Sequence, residues 1–233
     1  MNKVKKKLEN TKKKIKNTKN KINSIDFDAH WYRRVFHAFG ACFLFYYLLP
    51  DLDWINLLKF WIPPIIVIFA ISLEILRLKG KISSNHFFGL RMYEKDRVGS
   101  YVFFAVGILI LLMLPWQPIS IPCILCACLG DPIIGEIRGR YGKKNSIILG
   151  FLICMLFFVV IWYNVDIRLT ILVAIIGGLG AIIGETKKLW WLDDDFMIQI
   201  LPAVLLIIIW FIAPHLGLNL PPDQIINAGR MPW

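Results

Sequence analysis

The chain has 233 residues, 57% of them hydrophobic and 14% aromatic, with a mean hydropathy of +0.60. This composition excludes an ordinary soluble domain and leaves no room for a separate one, so the fold class expected is an all-α, polytopic integral membrane protein. The net charge of +11 would suit a nucleic-acid binder, but nearly all the cations lie before the first apolar run or between runs, and no nucleic-acid partner is expected.

Residues 1–30 read as a basic cytoplasmic tail. Ten lysines between Lys3 and Lys21 alternate with Asn, Thr and a few aliphatic residues, a pattern that suits contact with anionic lipid. More than thirty polar residues precede the first apolar run, so no cleavable signal peptide is expected. Apolar runs then follow at 35–49, 54–76, 98–114, 119–129, 146–163, 169–183 and 197–213, which predicts about seven transmembrane helices within a domain spanning 31–215. A short C-terminal tail, 216–233, completes the chain. The run at 119–129 is the shortest, and it either continues through the segment 130–142 or stops short of a full crossing.

The connections alternate between short and long. Of the 27 Lys and Arg residues, all but Lys59, Arg168 and Arg230 fall before residue 35 or in the long connections 77–97, 130–145 and 184–196. Positive loops stay cytoplasmic, which places the N-terminus and those three connections inside and the C-terminus outside or lumenal. The five cysteines, at 42, 123, 126, 128 and 154, all sit in apolar runs, the group Cys123, Cys126 and Cys128 has no histidine nearby in sequence, and they read as small packing residues. Gly180 and Gly184 have the spacing that lets two membrane helices approach closely.

Ionisable groups at a bilayer edge need a partner or a task. Arg33, Arg34 and His37 open the first run, with Arg34 and His37 on one helical face. Glu74 and Arg77 close the second run at i, i+3 spacing and are either an ion pair or substrate contacts, with Arg91 and Glu94 following in the connection. The segment 130–144 combines Asp131 with Gly135, Gly139 and Gly142 and with Arg138, Arg140, Lys143 and Lys144. Asp131 can supply a carboxylate for a metal, the glycines leave backbone open to phosphate, and the cations neutralise phosphate charge. Glu185 and the run Asp193, Asp194, Asp195 concentrate acids between two apolar runs, where a divalent cation carrying phosphate oxygens would relieve their repulsion.

The order of these pieces carries a resemblance. A basic pair with a following histidine (Arg33, Arg34, His37), an E-x-x-R helix end (Glu74, Arg77), Arg91 and Glu94 leading to Gly99-Ser100-Tyr101, then Gly130-Asp131-Pro132 with its glycines, and finally Glu185 and an aspartate pair, is similar to the CTP-dependent lipid kinases. That family includes dolichol kinase, phytol and farnesol kinases and the yeast-type diacylglycerol kinase. The resemblance spans about 33–201. It implies a membrane-embedded kinase moving the γ-phosphoryl of CTP, with Mg²⁺, to the hydroxyl of a membrane lipid alcohol. It further implies metal binding by Asp131 and Asp194, phosphate binding by Gly135, Arg138, Gly139, Gly142 and Lys143, and roles at the reacting groups for Arg33, Arg34, His37, Asp193 and Glu185. Two features depart from the family pattern: Lys143-Lys144-Asn145-Ser146 runs on without the usual glutamate, and Asp193-Asp194-Asp195 stands in place of D-D-N. The alternatives are a phosphatidate cytidylyltransferase-like enzyme, a catalytically silent family member, or a small transporter.

Overall fold

The computed structural model describes residues 31–83, 90, 94–186 and 192–226. The basic tail 1–30, Arg91 and residues 227–233 lie outside the described residues. Every regular element among the described residues is helical. Helix α1 (31–48) tightens into a 3-10 turn at Ala41–Leu44 and resumes as α-helix at Phe45–Leu48. Helix α2 is Asp53–Leu78 and α3 is Ser100–Met113. A helical stretch of 45 residues, Gln117–Ile161, follows. Within it Gly142 has φ 82° and ψ 172°, a backbone conformation open to glycine and costly for other residues. The stretch is therefore two helices, α4 (117–141) and α5 (143–161). Helix α6 is Ile167–Thr186 and α7 is Asp194–Ile212, closed by a 3-10 turn at Ala213–Leu216.

Four helical stretches are long and apolar enough to cross a membrane: Asp53–Leu78, Gln117–Ile161, Ile167–Thr186 and Asp194–Leu216. The seven apolar runs map onto fewer qualifying helices because the 3-10 turn interrupts α1, α3 has only 14 residues, and two runs share the 45-residue stretch. The connection expected at 130–145 is mostly helix. Its glycines at 135 and 139 stay helical, Glu136 and Arg140 pair at i, i+4, and only Gly142 turns the chain. The helix assignment of α2 passes through Pro63 and Pro64 without a break.

Glu74 and Arg77 form a clasp at the end of α2. Arg77 Nε and Nη2 each donate to a Glu74 carboxylate oxygen at 2.7 Å, a two-pronged match of guanidinium to carboxylate. Arg77 also donates to the carbonyls of Glu94, Lys95 and Arg97, while Glu74 accepts from the Gly99 N–H and the Tyr101 hydroxyl. The pair is buried and ties the end of α2 to the start of α3. Gly80 follows in left-handed conformation (φ 71°), and bonds from Gly80 N–H to Arg77 O and from Lys81 N–H to Leu76 O close the helix.

The tightest helix contact joins α6 to α7. A Cβ on Gly184 would lie 2.4 Å from the Met197 carbonyl oxygen, and one on Gly180 would lie 3.0 Å from Pro202 Cα. Backbone cannot yield as a side chain can, so Gly184→Ala is expected to destabilise the protein by roughly 1–3 kcal/mol, the cost of forcing extra volume into a packed interface. A thermal-aggregation curve in detergent measures it, and an unchanged midpoint would show that the two helices are not in this contact.

Candidate functional site

The site is built from a proline that a regular helix cannot hold. In an unbroken α-helix Pro132 would take the place of a donor to Cys128 O and drive its ring against that carbonyl. The chain instead makes a π-turn at Cys126–Gly130, in which the Asp131 N–H bonds to Cys126 O, five residues back. Ala127 O thereby loses Asp131 as its α-helical donor, and its donor in the π-pattern would be Pro132, which has no N–H. That carbonyl is left for a side chain, and His37 Nδ1 from α1 lies 3.4 Å from it.

His37 is buried, its ring 4.7 Å from that of Phe104 on α3. Nδ1 is also 3.3 Å from Asp131 Oδ2, and Nε2 is 3.7 Å from Asp195 Oδ2. His37, Asp131 and Asp195 can each place one ligand atom within 4.8 Å of the other two, and so can Asp193, Asp194 and Asp195. Arg33 donates to Asp195 Oδ2 at 3.0 Å. The acidic run is also a helix start: the Asp193 side chain accepts from Asp194 N–H and caps α7, while Asp194 and Asp195 occupy its first turn, where the helix dipole favours negative charge.

Of these groups Arg33, His37, Asp131 and Asp194 line a cavity of about 610 Å³ where the start of α1, the end of α4, the end of α6 and the start of α7 meet, while Asp193 and Asp195 lie off its wall. Arg34 pairs across it with Glu136, which also holds Arg140. Arg138 donates to Glu185 Oε1 at 2.7 Å, while Glu185 Oε2 is buried and has no hydrogen-bond partner among the described residues. Gly135 and Gly139 sit on the cavity face of α4, and a Cβ on either would meet nothing within 4 Å. The arrangement offers carboxylates and an imidazole to a cation, arginines to an anion, and an open backbone face between them.

Of the residues expected at a site, Arg33, Arg34, His37, Asp131, Gly135, Arg138, Gly139, Glu185 and Asp194 line this one cavity. Gly142 and Lys143 do not line it, for Gly142 turns the chain and Lys143 is exposed beyond the turn. Glu74, Arg77 and Glu94 also lie off its wall, and the first two belong to the α2–α3 clasp. Glu136 and Trp31 were not anticipated. The i, i+4 spacing of Glu136 and Arg140 is the only sequence sign of the first. Among the described residues neither candidate metal cluster contains a cysteine, and all five cysteines are free. No protein-family model, curated protein or solved structure matches this chain.

Proposed function

We propose that the chain is a membrane-embedded kinase that transfers the γ-phosphoryl of a nucleotide, CTP by the resemblance, to the hydroxyl of a membrane lipid alcohol. One observation carries the reading: acids, an imidazole and arginines from four helix ends share one cavity beside open glycine backbone. In this reading the bundle has seven crossings. Both α4 and α5 span, and the N-terminus, the clasp and the cavity lie on the cytoplasmic side. Asp131 stands fourteen residues into α4, roughly 20 Å along its axis at 1.5 Å per residue. That is within the thickness of a ~30 Å hydrocarbon core and toward its cytoplasmic edge. A lipid alcohol lying among the helices would bring its hydroxyl to such a level.

Phosphoryl transfer needs positioning and charge neutralisation more than covalent help. Arg34 and Arg138 would exchange their carboxylate partners for phosphate oxygens, while Arg33 holds Asp195 in place. Asp131 and Asp194, the metal ligands the resemblance implies, both line the cavity, and Asp195 lies within ligand reach of Asp131 and His37; a divalent cation, Mg²⁺ by the resemblance, would when bound neutralise charge on the transferring phosphoryl group. The alcohol oxygen forms a bond to the γ-phosphorus, the bond from that phosphorus to the bridging oxygen breaks, and the nucleoside diphosphate leaves. Glu185 Oε2, buried and without a hydrogen-bond partner, is the assigned acceptor for the hydroxyl proton. Asp193 is the helix cap and is not assigned that role.

The reading is tested by following label from γ-labelled CTP into polyprenol, phytol or diacylglycerol with purified protein and a divalent cation. An unlabelled panel with every nucleotide would end it. Gly139→Ala adds a sharper test. An exposed glycine within a helix costs up to roughly 1 kcal/mol relative to alanine, and Gly139 lies in the last turn of α4, so this variant should be at least as stable as the wild type. Its methyl group would stand on the face left for phosphate, and KM for the nucleotide should rise by about tenfold. An unchanged KM would remove that face of α4 from the site.

A further inference from the structure

We infer that His37, Asp131 and Asp195 form a mixed nitrogen–oxygen site that takes a divalent transition-metal ion in preference to Mg²⁺. The inference deepens the kinase reading by naming the ligands and the class of ion. It begins with the geometry around His37. Nδ1 lies 3.4 Å from the Ala127 carbonyl and 3.3 Å from Asp131 Oδ2, Nε2 lies 3.7 Å from Asp195 Oδ2, and one ligand atom from each of the three side chains falls within 4.8 Å of the other two. An imidazole and two carboxylates gathered this closely, with His37 and Asp195 buried, can share one cation.

The surroundings match what metal ligands need. A ligating imidazole commonly donates its other N–H to a backbone carbonyl, which fixes its orientation, and the π-turn before Pro132 frees such a carbonyl at Ala127. A ligating carboxylate is commonly hydrogen-bonded from outside, and Arg33 supplies that bond to Asp195 while the remaining lone pairs of the carboxylate stay available. A separate observation points to an occupant. Glu185 Oε2 is buried on the wall of the same cavity without a partner, and a water carried by the ion would donate to it. The three ligands come from α1, α4 and α7, so the site exists only in the folded bundle. Mg²⁺ prefers an all-oxygen shell, whereas an imidazole nitrogen suits transition-metal ions and Mn²⁺ accepts both donor types.

Mn²⁺ titrated into detergent-purified protein, without nucleotide or lipid, tests this apart from any kinase activity. Free Mn²⁺ is counted by its electron paramagnetic resonance signal, and pulsed resonance detects nitrogen bound to the ion. One tightly bound Mn²⁺ per chain is expected, with an imidazole coupling that changes when histidine is ¹⁵N-labelled. Mg²⁺ should need at least about a tenfold excess to displace it. His37→Gln should lose the nitrogen coupling and weaken Mn²⁺ binding at least about tenfold. Absence of a bound ion, a bound ion without nitrogen coupling, a coupling that survives His37→Gln, or equal competition by Mg²⁺ would each overturn the inference. None of these outcomes decides whether a phosphoryl group is transferred, and a failed kinase assay with a nitrogen-ligated Mn²⁺ would leave the metal site standing.

Discussion

Asp131→Ala is expected to lower phosphoryl transfer by roughly 10³-fold, the scale on which one preorganised electrostatic contact to a transition state acts. Asp131 follows the π-turn that Pro132 imposes, and its carboxylate faces His37 and lines the shared cavity. In the proposed kinase the loss should appear in kcat, because Asp131 lines the cavity of charged groups and not an apolar surface. The variant should still reach the membrane, since Asp131 contacts His37 but takes no part in the clasp that ties α2 to α3. Asp131→Asn preserves shape and separates lost charge from lost packing. Wild-type transfer in either variant would remove Asp131 from the chemistry.

The largest effect on stability is expected at Glu74. Its carboxylate is buried against Arg77 and accepts from Gly99 N–H and the Tyr101 hydroxyl, while Arg77 holds three further carbonyls. Glu74→Ala leaves a buried guanidinium without its counter-charge, which costs roughly 3–5 kcal/mol and should lower the thermal midpoint in detergent by roughly 6–20 °C. Replacing both partners, Glu74→Leu with Arg77→Met, should recover part of the loss, since two apolar groups leave no charge stranded. A single variant as stable as wild type would show that the pair is solvated.

The sequence made the membrane class legible because so many long apolar runs have few other uses in a chain this size. It also indicated which charged groups to gather, since a positive-inside count puts residues 33–37, 131–140, 185 and 193–195 on one side. The Glu74–Arg77 pair was readable from its i, i+3 spacing, though not the carbonyls it gathers. Other features were hidden for physical reasons. Glycine is permissive at 135, 139 and 142 alike, and nothing in the local sequence marks Gly142 as the one that takes positive φ. The partnership of Arg33 with Asp195 crosses 162 residues and that of Arg34 with Glu136 crosses 102, separations at which no local pattern operates. As a sequence, the three consecutive aspartates read as repelling charges in need of a cation. Part of that repulsion is answered by the start of α7, where one acid is the cap and two meet the helix dipole. Pro132 was visible throughout, but its consequence, a freed carbonyl one turn back, needs the register of the whole helix.

The arginines bear on whether the cavity is active. Each of Arg33, Arg34, Arg138 and Arg140 pairs with a carboxylate in the structure, so an incoming triphosphate must compete for them. A silent member of such a family would keep the pairs closed, and a kinase would open them on binding nucleotide with its cation. The missing glutamate after Lys144 lies beyond Gly142, in a segment that does not line the cavity.

The central claim is tested most directly by giving purified protein CTP labelled in parallel at the α- and γ-phosphorus, with a lipid alcohol and a divalent cation, and separating the lipid product. Label from the γ-position alone should enter the lipid, and Asp131→Ala should prevent it. Label entering from the α-position would mark a cytidylyl transfer, and no label from either position would contradict the kinase reading.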